Sequence, residues 1–285
     1  MTAARLVRVL GLSLVIGLPL SQVLIYAVAF EPADLESYLW AGEAWRTTGN
    51  PYAQAPMIID GNPIYRYAPW FAVPWIWLST LPTDLVEVGW AAVMTVSAVL
   101  AVIPLFQAHG ARALPVGAFL LGWLVAAGLN GNVQPAVVAL LAWGVPRSWG
   151  PGAIAVTASL KAVPILFALV YVGRGEWGRA VWTAALTVPL VAPMLLFDIP
   201  AVNTSAGQSY SLYATSPILW GAVAAGCAII SLVLARTRYA WLAAGTTVLM
   251  ALPRAFVYDL TFMLPGLSER ATASSRKPAG ASVSP

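Results

Sequence analysis

Charge is scarce in this chain. Lys and Arg total 15 and Asp and Glu 11 among 285 residues, 9% in all. A soluble domain carries about 25%, so a chain enclosed by a charged, water-facing shell is excluded. The one cysteine, Cys227, lies in an apolar run, which removes a disulfide framework and a thiol metal site. The one histidine, His109, sits in a short loop and argues against a histidine-based metal centre; no metal site is expected. No Walker loop and no Rossmann glycine fingerprint occurs. The net charge of +4 and pI near 9.4 would suit nucleic acid. The basic residues instead occupy short loops and chain ends, the distribution of a membrane topology, so no nucleic-acid partner is expected.

What is present is apolar: 60% of residues are hydrophobic and the mean hydropathy is +0.78. The reading is an all-α polytopic membrane protein. Apolar stretches fall at 9–30, 67–82, 85–106, 114–129, 133–146, 151–172, 180–197, 216–235, 239–253 and 255–267. Several are shorter than the ~20 residues of a perpendicular span, and 114–129 with 133–146 reads as short spans, a hairpin or a re-entrant pair. The expectation is about eight to ten transmembrane helices. Arg5 and Arg8 precede the first stretch, and Ala27-Val28-Ala29 has the form of a signal-peptidase site; the stretch exceeds a signal h-region, so a retained helix is expected. With the N-terminus cytoplasmic, Arg174 and Arg179, then Arg236 and Arg238, fall in cytoplasmic loops, and loops 31–66 and 198–215 fall outside. Residues 1–267 form one transmembrane domain. The Ser-, Ala- and Pro-rich tail 268–285 reads as disordered and cytoplasmic. The sequon Asn203-Thr204-Ser205 lies in an outer loop.

The longest polar segment, Glu31–Arg66, follows the first stretch and carries Asp34, Glu36, Glu43 and Asp60. Leu35, Tyr38, Leu39, Gly42 and Trp45 share one helical face, with Glu36, Glu43 and Thr47 on another. This is an amphipathic helix on the outer membrane surface, ended by Gly49-Asn50-Pro51. Asp34 reads either as its N-cap or as a reactive carboxylate. Tyr52, Tyr65 and Tyr67 with Trp70 read by default as an interfacial aromatic belt. Lys161 sits in the middle of 151–172, where a cation costs on the order of 3 kcal/mol and is a functional candidate or a structural ion-pair partner. Arg66 and Arg254 lie at membrane edges, either snorkelling or binding an anion with Lys161. Asp259 is within reach of Arg254 or Lys161 as a partner.

Several elements in order resemble glycosyltransferase family 87, membrane mannosyltransferases that use a polyprenol-phosphate mannose donor. They are Asp34, Tyr38, Gly49-Asn50-Pro51-Tyr52, Tyr65-Arg66-Tyr67-Ala68-Pro69, Gly131-Asn132-Val133-Gln134 and Lys161-Ala162-Val163-Pro164. The resemblance covers roughly residues 10–190. It implies a GT-C-type helical bundle and a hexosyltransferase active on the extracytoplasmic face of the cell membrane. The donor would be a polyprenyl-phosphate-linked sugar, the acceptor a glycan or glycolipid, and no cofactor would be needed. It further implies Asp34 as the base, Lys161, Arg66 and Arg254 on the donor phosphate, and Tyr38, Tyr52, Tyr65, Tyr67, Asn132 and Gln134 around sugar or acceptor. One departure is clear. The family's late segment tends to place a histidine after a proline, whereas Leu252–Asp259 has none. Two other classes compete: a transporter or flippase with Lys161 and Asp259 along its path, and a shortened non-catalytic relative.

Overall fold

A computed structural model of the chain describes residues 3–29, 32–53, 65–199 and 210–269. Asp60, the sequon at 203–205 and the tail from 270 lie outside these residues. The described residues are all-α with short 3-10 segments and no strand. Four stretches are long and apolar enough to cross a membrane, Gly11–Ala29, Thr83–Leu129, Trp177–Leu196 and Pro217–Leu234. Shorter apolar helices pack among them.

Helix α1 (Ala3–Ala29) is followed by α2 (Ala33–Thr48). Leu35, Tyr38, Ala41 and Gly42 of α2 are buried while Glu36 is exposed, which is the face the spacing predicts. Gly49 supplies its left-handed C-cap. Helix α3 (Pro69–Leu78) crosses directly over α2. A Cβ on Gly42 would lie 2.2 Å from the Trp75 carbonyl oxygen, so glycine sets that approach. The stretch 67–82 thus holds a helix shorter than the ~20 residues of a perpendicular span. Pro69 starts a ten-residue helix that stays beside α2, and its rings build a cluster with it.

Helices α4 (Thr83–His109) and α5 (Leu114–Leu129) form a hairpin. Trp90, near the start of α4, donates its indole N–H to the Gly131 carbonyl just past the end of α5, at 2.8 Å. Helix α6 (Gln134–Gly144) returns alongside α4, and Trp143 of α6 bonds the Leu100 carbonyl at 2.8 Å. A second correction concerns 151–172. Helix α7 (Gly150–Leu160) ends at Lys161, and a 3-10 segment, Val163–Phe167, leads back into α8 (Ala168–Arg174). The Tyr171 hydroxyl reaches the Val145 carbonyl at 3.2 Å, and Arg179 donates to the Arg147 carbonyl. The stretch is thus a hairpin with Lys161 at its tip. Proline at 164 starts the 3-10 turn and denies a backbone N–H to a continuing helix.

Helix α9 (Trp177–Val191), α10 (Pro217–Leu234) and α11 (Ala240–Met250) continue the bundle. The stretch 255–267 is not a regular helix; it is a 3-10 segment, Val257–Met263, ending in the single turn α12 (Leu264–Leu267). These contacts divide the bundle into two ends. One carries α2, α3, the Lys161 tip and Arg254. The other gathers the turns with Arg147, Arg174, Arg179, Arg236 and Arg238. Arg174 bonds the Ala235 carbonyl at 2.7 Å. His109 bonds the Leu267 carbonyl at 2.8 Å, which brings the α4–α5 turn with Arg112 to this end too. The core between them is apolar, around Leu124, Val137, Leu141, Ile154, Phe167 and Val248.

The hairpin at Lys161 makes a prediction. In a Cys227→Ala background, Ser148→Cys and Gly178→Cys should react with an impermeant thiol reagent from the same membrane face, and Thr47→Cys from the opposite one. Reaction of Ser148→Cys and Gly178→Cys from opposite faces would restore a single span at 151–172.

Candidate functional site

The turn Asn130–Val133 seats the start of α2. Gly131 has φ 85°, and a Cβ there would lie 2.5 Å from the Leu35 nitrogen. That backbone geometry is disfavoured for any side chain. With glycine in place, the Asp34 amide donates to the Asn130 carbonyl at 3.1 Å. The Asp34 carboxylate accepts from the Asn132 side-chain amide at 2.6 Å and from Asn130 more loosely at 3.4 Å. Both contacts fall on Oδ2, so Oδ1 carries neither. The capping reading of Asp34 fails: Pro32 occupies the N-cap and no side chain caps α2.

Asn132 is itself fixed by the Gln134 amide, which donates to its Oδ1 at 2.8 Å. Gln134 is fully buried and bonds Thr261 at 3.2 Å, so it ties α6 to the 3-10 segment behind the site. Its Oε1 is buried without a hydrogen bond among the described residues.

Cations surround Asp34. Lys161 and Arg254 are both close enough to act on its charge, and Asp34 and Arg254 are in turn close enough to act on Arg66. Burial pushes the Asp34 carboxyl above its ordinary range, while the Asn132 hydrogen bond, Lys161 and Arg254 pull it back down. Lys161 lies 3.9 Å from Asp259 Oδ1, its side chain 16% exposed and that of Asp259 3%. Asp259 also accepts from the Phe256 amide at 2.8 Å. Lys161 stands over the Tyr258 ring at 5.2 Å, Tyr258 stacks on Phe256 at 5.3 Å, and Arg254 stands over Phe256 at 5.0 Å. Two cations are thus carried on one aromatic pair, each contact adding electrostatic attraction to the ring face.

The tyrosines divide. Tyr38 donates to the Tyr67 hydroxyl at 3.0 Å, and both lie near Asp34. Tyr52 and Tyr65 are buried and donate to the carbonyls of Tyr67 and Ala68, at 2.7 and 3.0 Å. They do not form an interfacial belt; they meet each other and Tyr67 in tilted pairs, while Tyr38 packs edge to face on Tyr67, Phe71 and Trp90, and Trp75 on Trp90. Each such ring pair adds about 0.5–1.5 kcal/mol beyond its burial. Glu43 is drawn away to a surface pair with Arg46 at 2.7 Å.

The structure therefore brings Asp34, Tyr38, Tyr67, Asn132, Lys161, Arg66 and Arg254 to one place, with Gln134, Tyr52 and Tyr65 one layer behind. Sequence reading gave no role to Asn130, Tyr258 or Ser159. Ser159 accepts the Trp70 indole N–H at 3.1 Å, and its carbonyl accepts from the Ala68 amide at 3.2 Å, fastening the hairpin tip to α3. Only the polar run Asn130-Gly131-Asn132 gave a local signal. No group of three or more metal-ligating side chains occurs among the described residues.

Gly131→Ala should lower the unfolding midpoint of the solubilised protein. Strain at that φ costs on the order of 1–3 kcal/mol, and the contact with Leu35 adds to it. An unchanged midpoint would show that the turn does not seat α2.

No family model, curated protein or solved structure matches this chain, so its own residues carry the functional argument.

Proposed function

We propose that the chain is a membrane glycosyltransferase of GT-C type that moves a sugar, mannose by the family resemblance, from a polyprenyl phosphate to an extracytoplasmic acceptor. The observation that carries this reading is one recessed carboxylate, Asp34, oriented by an amide, with Lys161 and Arg254 near enough to act on its charge and Arg66 within its field. Such a set needs no metal to run a single displacement. Asp34 Oδ1 takes the proton of the acceptor hydroxyl as its oxygen bonds the anomeric carbon. The bond from that carbon to the phosphate oxygen breaks, and its electron pair leaves on the lipid phosphate. The cations stabilise the charge that develops there. Attack opposite the leaving group inverts the anomeric centre, so no second carboxylate is required.

The arginine-rich end is the cytoplasmic one in this reading, since basic turns stay inside. The site then faces the extracytoplasmic side. The buried Lys161–Asp259 pair is what favours the competing reading, a transporter with charges along its path. Transfer of labelled sugar from a polyprenyl-phosphate donor in membranes separates the two, because a transporter leaves the glycosidic bond intact.

Asp34→Asn keeps size and hydrogen bonding but cannot take a proton. Transfer should fall about 10²–10⁴-fold at an unchanged protein level, while Glu43→Gln stays near normal. Near-normal transfer by Asp34→Asn would remove Asp34 as the base.

The reaction should also depend on pH. A base works only deprotonated, and the Asp34 carboxyl is held above its ordinary range. The rate should therefore rise with pH along a limb displaced above the ~3.9 of a free aspartate. Lys161→Met removes a cation that lowers this pKa, so the limb should move to higher pH. A limb that stays in place would show that Lys161 does not act on Asp34.

A further inference from the structure

At the arginine-rich end a groove of about 290 Å³ opens between α10 and α11. Cys227, Ile230 and Leu234 line one wall, Leu242 and Thr246 the other, and Tyr239 closes the end at the turn. The wall is apolar in effect, because the Thr246 hydroxyl is spent on the Leu242 carbonyl at 3.0 Å. From Cys227 to Leu234 it runs for two helical turns, about 10 Å. Ile230 and Val233 beside it are 52% and 73% exposed, so this side of the bundle faces lipid.

The turn that closes the groove carries two arginines, Arg236 and Arg238. Arg238 stands over the Tyr239 ring at 4.8 Å and donates to its hydroxyl. That ring is itself part of the groove wall. Arg236, two residues back, is exposed. Among the described residues neither makes an ion pair. Arg174 arrives at the same turn through its bond to the Ala235 carbonyl and stands over Trp241 at 5.1 Å; it has Glu269 nearby. An apolar slot closed by a turn that carries two arginines outside any ion pair, Arg238 against the wall itself, matches a molecule with a hydrocarbon chain and an anionic head.

We propose that this groove is a binding site for an anionic phospholipid, with one acyl chain against Cys227 and Leu242 and the phosphate against Arg236 and Arg238. The site is separate from the Asp34 cluster, which lies at the opposite end of α10 and α11. A zwitterionic lipid offers the same chain, but its ammonium offsets the phosphate. The arginines therefore select net negative charge, and guanidinium forks suit phosphate oxygens.

The chain's only cysteine reports on the groove directly. Unmodified protein in detergent is treated with a membrane-permeant maleimide, with phosphatidylglycerol or phosphatidylcholine added. Phosphatidylglycerol should slow labelling of Cys227 several-fold more than phosphatidylcholine, and Arg236→Gln with Arg238→Gln should erase the difference. High salt should erase it in the unmodified protein as well, which keeps the test valid if the double variant does not fold. Native mass spectrometry of the same samples should show phosphatidylglycerol retained over phosphatidylcholine. Equal protection by the two lipids, selectivity that survives both substitutions and salt, or equal retention would overturn the assignment. None of these outcomes depends on sugar transfer.

Discussion

The hydrogen bond from Asn132 to Asp34, 2.6 Å across 98 residues of sequence, is the constraint on which the rest depends. It joins α2 to the bundle at the point where Gly131 allows contact. Everything else at this end follows from that placement. Tyr38, one turn further along α2, is set against Tyr67, Phe71 and Trp75. Helix α3 is thereby held over α2, and Ala68 and Trp70 in turn grip Ser159 beside the Lys161 tip. A buried carboxylate is costly without partners, and here the partners are the parts that define the site.

The chemistry at this end is that of opposing charges kept near but not neutralised. Lys161 meets Asp259 at 3.9 Å, beyond a hydrogen bond, and Arg254 and Arg66 press on each other. The aromatic pair Phe256–Tyr258 carries Arg254 on one ring and Lys161 on the other.

The helical class, the face of α2 and the order of the polar elements were legible in the sequence, because each depends on local pattern. The path of the chain between them was less so. An apolar run of 22 residues at 151–172 reads as one crossing, and only Lys161 and Pro164 hint that it folds back. The run 67–82 reads as another crossing, yet Gly42 and the ring cluster hold it beside α2. These two departures cancel in parity, so Arg174, Arg179, Arg236 and Arg238 keep the same side under either path. Arg112 and Arg147 break the tie. Loss of the crossing at 67–82 moves them from the outer side, and the hairpin at 151–172 then keeps the later arginines on that same side, so all six share one end. The approach of Asn130 to Asp34 and of Tyr258 to Lys161 was not legible, because both contacts are made across the bundle.

The hairpin arms are short. Helix α7 has 11 residues, about 16 Å of rise, roughly half the hydrocarbon thickness of a bilayer. The Lys161 tip therefore stops well below the level that α4 reaches with 27 residues. Lys161 and Asp259 are buried within the bundle at that depth, and short arms beside long ones leave a mismatch with a bilayer of uniform thickness. Hydrophobic mismatch of this kind costs fractions of a kcal/mol per Å. A thicker bilayer would press harder on the short arms than on the long hairpin α4–α5, so the lipid composition of the host membrane becomes a mechanical load on the end that carries Asp34.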